Sequence, residues 1–265
     1  MSQPTVCCVL LVNGREAMTR RAIASFRAQT YENKRLLIWD SSLFLTRDYE
    51  DFIGGIRHMP APLPIKATIG GLRNEANEYA LSFGTDLIAH FDSDDWSHSR
   101  RLEEQVALLQ ASGKQCVGYR ELLFWDTRHV AQCTHAGVVS RDECPYCENL
   151  GEAWIYRNHE PRWCAGASML YTREVWEACP FDDAPHEDQR WWLKNTEKCL
   201  GVSAQLQQVT ECEPRMICQM HSGGTEQIPR EVMLRGDVWA RASQFDVFCN
   251  GDSFACGCVN PRKEG

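Results

Sequence analysis

Leu87-Ile88-Ala89-His90-Phe91-Asp92-Ser93-Asp94-Asp95-Trp96 is the stretch on which the fold turns. A short apolar run runs without a break into three carboxylates. Such a run, bounded by turn chemistry, reads as a buried strand. The acids then sit at its carboxyl end, the edge where open parallel α/β sheets bind their ligands.

Upstream, Val6–Val12 is an unbroken run of seven apolar residues, and Leu36–Trp39 is a shorter one that ends at Asp40-Ser41-Ser42. Both read as buried parallel strands. Helical patterns separate them. Ala22, Ile23 and Phe26 share one face over 16–29. Gly70-Gly71 precedes a helix carrying Ala76, Ala80 and Phe83. Leu102, Val106 and Leu109 follow the acidic cluster, with Gly113 as the stop. The stretch 44–64 reads as loop. Strand and helix alternate at short intervals, the signature of an α/β fold with a mostly parallel, Rossmann-type sheet flanked by helices. Downstream, strands are expected over 116–119, 122–125 and 168–171. Helices are expected over 173–178, 187–200 and 231–244. The length of 265 residues fits one domain.

Composition narrows the function. There are 28 basic against 36 acidic residues, a net charge of −8, so a broad electrostatic grip on nucleic acid is not expected. No apolar run approaches the roughly 20 residues of a membrane span. Met1-Ser2-Gln3-Pro4 carries no basic leader, so the expectation is a cytoplasmic protein with reduced thiols. Cys7 and Cys8, inside the first strand, then read as small buried hydrophobes.

Asp92 and Asp94 stand at i and i+2, which in extended backbone puts both carboxylates on one side. Converging carboxylates need a compensating cation, and oxygen donors suit Mg2+ or Mn2+. The plainer alternative is a solvated acidic turn in which Ser93 or Asp95 caps the next helix.

At this point the sequence resembles glycosyltransferase family 2, enzymes of the GT-A fold. Val9-Leu10-Leu11-Val12-Asn13-Gly14-Arg15 with Arg21–Tyr31 looks like that family's first strand and helix. Leu36–Ser42 is similar to its second strand and nucleoside-contacting turn. Gly71-Leu72-Arg73-Asn74-Glu75-Ala76-Asn77 is similar to its next helix start, and His90–Trp96 to its Asp-x-Asp segment. Gly166–Trp176 resembles the unit before the acidic catalytic pair, which would be Glu187-Asp188. His221-Ser222-Gly223-Gly224-Thr225 resembles a late His-Gly-Gly segment. The match covers about 5–226, so 1–226 is expected to be the catalytic domain and 227–265 a C-terminal helix and cysteine-containing tail packed on it.

The resemblance implies an inverting, metal-dependent transfer of sugar from a nucleotide sugar to an acceptor hydroxyl. Asp94 would bind the metal, with Asp95 a second candidate ligand and His221 reaching the metal or the diphosphate. Asp92 would lie nearer the ribose. Asn13, Asp40 and Arg73 would face the nucleotide. Asp188 would be the general base and Glu187 its supporting acid, or both would simply favour a helix N-terminus. Trp191 and Trp192 could floor a sugar site or lie in the core. The chain departs from the family at Val12-Asn13-Gly14, where a tyrosine is common, and at Asp40-Ser41, where two aspartates are. Uracil is favoured only as the commonest base, and Ser99 stands as a helix cap where the family has proline.

Two further readings stay open. One is a catalytically silent binder of sugar nucleotide or glycan on the same scaffold. The other is an enzyme that glycosylates a modified nucleobase, using a groove of Arg100, Arg101, Arg120 and Arg128. Separately, Cys144-Pro145-Tyr146-Cys147 with Cys256 and Cys258 of the tail forms a candidate structural zinc set, and Cys133 with His135 a candidate half-site.

Overall fold

Strand β1 (Val6–Val12) is an interior strand of a mixed sheet, covered on both faces, as its apolar run requires. The computed structural model describes residues 3–42, 54–61, 68–128, 152–203, 215–221, 228–235 and 238–241. Val6, Cys8, Leu10 and Val12 pack with Phe26 and Ile23 of α1 (Glu16–Arg27) and Leu102 and Val106 of α3 (Arg101–Ser112). Cys7 and Val9 point the other way. They pack among Ala76 and Ala80 of α2 (Ile69–Leu81), Trp176 of α4 (Arg173–Ala178) and Trp191 of α5 (Glu187–Asn195). The period of two along β1 thus divides the core into two layers. Cys7 and Cys8 are buried free thiols, and burial pushes the Cys7 thiol up to about 12.

The strand order is β11-β7-β6-β8-β4-β1-β2-β3, with β5 (Trp96–Ser97), β9 (Cys199–Ser203) and β10 (Met216–Met220) attached off that path. β1 pairs in parallel with β2 (Lys34–Asp40) and β4 (Leu87–His90), and β2 with β3 (Ile56–Pro60). The second half is different: β8 (Leu170–Thr172) runs antiparallel to β4, and β7 (Glu152–Arg157) to both β6 (Cys116–Asp126) and β11 (Trp239–Arg241). Among the described residues five of the ten pairings are parallel, three in the N-terminal part and two where β9 and β10 join β6, so the sheet is mixed rather than mostly parallel.

The two strands expected over 116–119 and 122–125 are one strand, β6, with a bulge between Tyr119 and Glu121. The bulge puts polar Arg120 and Glu121 where apolar alternation slips. It also changes partners: β9 and β8 flank the first half of β6, β10 and β7 the second. The sheet curls there, and the face bearing Leu122 and Phe124 turns toward the strand ends. The helix expected over 187–200 stops at Asn195 because Cys199 joins β6. The helix expected over 231–244 is short, α6 (Arg230–Leu234), and Trp239–Arg241 pairs with β7 instead. The loop expected over 44–64 contains β3. Helix α2 begins at Ile69, so Gly70 and Gly71 lie inside it. Neither Ser99, Ser93 nor Asp95 caps α3; its N-cap is Arg100, with no side-chain bond.

Candidate active site

A cavity of about 770 Å³ opens at the carboxyl edge of the sheet. Arg73, Asp92, Asp94, Asp95, Glu187, Asp188 and His221 all line it. Four stretches of chain far apart in sequence deliver them: the start of α2, the end of β4, the start of α5 and the end of β10.

The Asp92–Asp95 segment is not extended, since Asp95 N donates to Asp92 O at 3.3 Å in a turn. The two carboxylates expected on one side therefore diverge. Asp92 Oδ1 faces Arg73 Nη2 at 3.4 Å, whereas Asp94 Oδ2 lies 2.9 Å from His221 Nε2 and 3.2 Å from Arg15 Nη1. Burial raises the Asp92 carboxyl, helped by Asp94 and opposed by Arg73. Asp94 is also raised by burial, but the His221 bond and Arg15 outweigh this and hold it below its ordinary range. Asp95 is buried and accepts from Gln219 N at 3.1 Å; burial and its two acidic neighbours push it well above the usual carboxylate value.

Arg15 is a residue the sequence reading did not single out. Gly14 (φ +73°) and Arg15 (φ +58°) both take left-handed backbone before α1, which brings the guanidinium back over the strand ends. For a non-glycine residue that conformation costs about 1–2 kcal/mol. Its Nη1 also contacts His221 Nε2 at 2.9 Å, so Asp94, His221 and Arg15 form a closed triangle. The same pair tests whether a cation fits. Asp94 Oδ2 and His221 Nε2, hydrogen-bonded to each other at 2.9 Å, offer one carboxylate oxygen and one imidazole nitrogen, donor types that divalent cations such as Mn2+ accept. Among the described residues no group of three His, Cys, Asp or Glu forms a fuller cage, so the remaining positions would fall to ligand phosphates and water.

Arg73 is buried, and its Nε donates to Glu187 Oε1 at 3.1 Å. Gly70 makes this approach possible: a Cβ there would lie 2.0 Å from Asp182 O and 3.1 Å from Glu187 Cβ. Burial raises the Glu187 carboxyl, Arg73 opposes that, and Asp188 adds to it. The Arg73 Nη1 atom is buried with no hydrogen-bond partner among the described residues. Asp188 is half-buried at the start of α5, next to His186, whose left-handed backbone (φ +57°) opens that helix. Asp188 rests on Gly166, where a Cβ would meet its Oδ2 at 2.1 Å. Gly166 is itself fixed by His90, whose Nδ1 lies 2.6 Å from its carbonyl oxygen.

Other expected residues do not reach the cavity. Asn13 is exposed at the end of β1. Asp40 is buried beside β3, its Oδ2 lying 3.0 Å from His58 Nε2 and its Oδ1 accepting from Ser42 N at 2.8 Å. Trp191 is a core residue, 1% exposed, donating from Nε1 to Cys179 O at 2.6 Å; Trp192 donates to Arg162 O. The aromatic rings on the cavity wall are instead Phe124, Tyr156, Trp163 and Trp239. They went unread because β6, β7 and β11 look irregular as sequence, although the i, i+2 pair Leu122 and Phe124 was a usable signal. The four arginines of the nucleobase reading form no groove on the cavity: Arg101 is buried, Arg128 pairs with Asp126, and Arg100 with Glu103 and Glu104. Cys133, His135, Cys144, Cys147, Cys256 and Cys258 lie outside the described residues, as does 222–227. No described helix is long and apolar enough to cross a membrane.

No family model matches the sequence, and no curated protein does. Solved structures do share the fold. S. aureus TarS 1-349 in complex with UDP superposes with a TM-score of 0.55 at 14% identity, over 82% of this chain and 60% of that one. TarS 1-349 in complex with UDP-GlcNAc gives 0.55 at 12%, over 86% and 64%. The mannosyltransferase PcManGT from Pyrobaculum calidifontis, in complex with GDP-Man and Mn2+, gives 0.51 at 11%, over 83% and 57%. The chain thus spans about 60% of the length of the structures it matches, and at these identities the likeness is one of fold.

Proposed function

We propose that the chain is an inverting glycosyltransferase of the GT-A type, akin to family 2, using a nucleotide-sugar donor, a UDP-sugar first among them. The observation that carries this reading is the convergence of Arg73, Asp92, Asp94, Glu187, Asp188 and His221 on one cavity of about 770 Å³ at the carboxyl edge of the sheet. A fold shared with complexes of UDP, UDP-GlcNAc and GDP-Man suits a nucleotide sugar there.

Asp94 and His221 are the residues that would hold Mn2+ or Mg2+, with Asp95 behind them. The cation supplies neutralisation of a departing diphosphate. Asp92 and Arg73 face the ribose and phosphates. Asp188 takes the proton of the acceptor hydroxyl. The hydroxyl oxygen bonds to the anomeric carbon, the bond from that carbon to the diphosphate oxygen breaks, and the electron pair leaves with the diphosphate. One carboxylate base with no protein nucleophile gives inversion. Glu187 holds Arg73 in place. A panel of nucleotide sugars incubated with protein and Mn2+ tests this: at least one should be slowly hydrolysed, and chelator should stop it. A panel left wholly intact would overturn the reading.

A further inference from the structure

The cavity has two unlike walls. One is the acidic wall just described. The other is a run of four rings in mutual contact, with centroid separations of 5.0 Å for Phe124–Trp239, 5.0 Å for Trp239–Tyr156 and 5.3 Å for Tyr156–Trp163. We propose that this aromatic wall is the acceptor subsite and that it takes an uncharged pyranose ring, seated with its C–H face on Tyr156 and Trp163 and a hydroxyl toward Asp188. The proposal rests on the glycosyl-transfer reading and adds the acceptor class.

Three observations support it. The first is topology. Leu122 is the cross-strand partner of Tyr156, and Tyr156 of Trp239, so these side chains share one sheet face. The bulge in β6 turns that face into the cavity. The second is position. Trp163 precedes by three residues Gly166, the glycine on which the Asp188 carboxylate rests, so the wall begins beside the base. The third is charge. Asp92, Asp94, Asp95, Glu187 and Asp188 line the cavity. Among the described lining residues Arg73 is the one guanidinium and there is no lysine, and Arg73 already answers to Asp92 and Glu187. A phosphorylated, uronic or nucleic-acid acceptor would add negative charge beside these carboxylates beyond the diphosphate that Arg73 and the cation already answer. A sugar ring has an apolar C–H face that suits the aromatic wall and hydroxyl edges that suit the carboxylates beside it, whereas a purely aliphatic alcohol offers those carboxylates a single hydroxyl.

Saturation-transfer NMR on the whole chain with diamagnetic Mg2+ and UDP or GDP tests the wall without any turnover. The probes are neutral methyl pyranosides and short neutral oligosaccharides, their phosphorylated and uronic counterparts, and octanol. Neutral saccharides should bind, with the protons of one ring face most strongly saturated. Trp163→Ala should weaken that binding about ten-fold or more, and Trp163→Phe should keep most of it. A preference for the anionic probes or for octanol, or equal affinity in Trp163→Ala, would overturn the proposal. Donor hydrolysis by the unaltered chain separates the two ideas. Saccharide binding without hydrolysis of any nucleotide sugar sinks the transferase reading, while hydrolysis without saccharide binding sinks the wall alone.

Discussion

His221 Nε2 lies 2.9 Å from Asp94 Oδ2, although 127 residues separate them in the chain. Each is useless as a lone ligand. The contact exists because β10 pairs antiparallel with β5, the two-residue strand just after the acidic turn. Arg15 Nη1, 3.2 Å from Asp94 Oδ2, supplies positive charge to the same two atoms.

That triangle gives a prediction of sign. Asp94→Ala and His221→Ala should each weaken Mn2+ binding by ten-fold or more, read by electron paramagnetic resonance of free Mn2+. Arg15→Gln removes a positive charge and keeps both ligands, so it should tighten Mn2+ binding. Weaker binding in Arg15→Gln would show that the guanidinium supports the cation site.

Gly166 tests how tightly Asp188 is placed. A methyl group at 166 would lie 2.1 Å from Asp188 Oδ2 and 2.7 Å from its Cβ, so one of the two must move. A displacement of about 1 Å at a reacting group can cost about 10²-fold in rate. Gly166→Ala should therefore fold and bind donor, with kcat reduced by one to two orders of magnitude. Steady-state kinetics at wild-type kcat would mean that Asp188 is not held by this contact, or is not the base.

Asp40 gives a stability test. Burial raises its carboxyl, but bonds from His58 and Ser42 outweigh this and hold it below the ordinary range. A carboxyl with a lowered folded pKa stabilises the protein above its unfolded value of about 3.9, and this is lost as pH falls through the folded value. Asp40→Asn should cost about 1–3 kcal/mol at neutral pH. In urea unfolding at a series of pH values, the gap to wild type should close below about pH 4. A gap that stays constant would assign the loss to packing.

The parallel core was legible because its signal is local. Val6–Val12 and Leu87–Phe91 are apolar runs whose burial on both faces leaves one assignment. Asp92–Asp95, at the end of such a run, were legible as a group at the strand edge for the same reason, whereas Glu187-Asp188 stood out only through the resemblance; the structure puts both on the cavity. What the sequence hid depends on distant pairing. Nothing near Arg15 says that a left-handed turn will set it on Asp94. Nothing near His58 says that β3 will bring it to Asp40. The aromatic wall is split among β6, β7, β11 and, at Trp163, the connection that follows β7, and its strand face is chosen by a bulge that reads as a break in alternation. Trp191 illustrates the opposite error: next to the acidic pair in sequence, it points inward to Tyr171 and Phe181.

Asp188→Asn decides between an enzyme and a silent binder. The substitution keeps size and most hydrogen bonding, including an oxygen to accept from Gln189 N as Asp188 Oδ1 does at 2.8 Å, but it cannot take a proton. Loss of a general base costs about 10²–10⁴-fold in rate. Donor affinity, by contrast, would rest in the proposed reading on Arg73 and the Asp94–His221 pair, which the substitution leaves alone. The Asp188→Asn protein should thus bind nucleotide sugar within a few-fold of wild type by calorimetry, while transfer falls by about two orders of magnitude or more. Arg73→Gln should do the reverse to binding. It removes the unpaired donor and leaves Glu187 buried without its cation, so donor affinity and thermal stability should fall together. Wild-type transfer by Asp188→Asn would move the base elsewhere on the cavity wall, with Glu187 and then His186 the neighbours in sequence to test next. Tight donor binding by the unaltered chain with no turnover of any nucleotide sugar would make the site a receptor for its ligand.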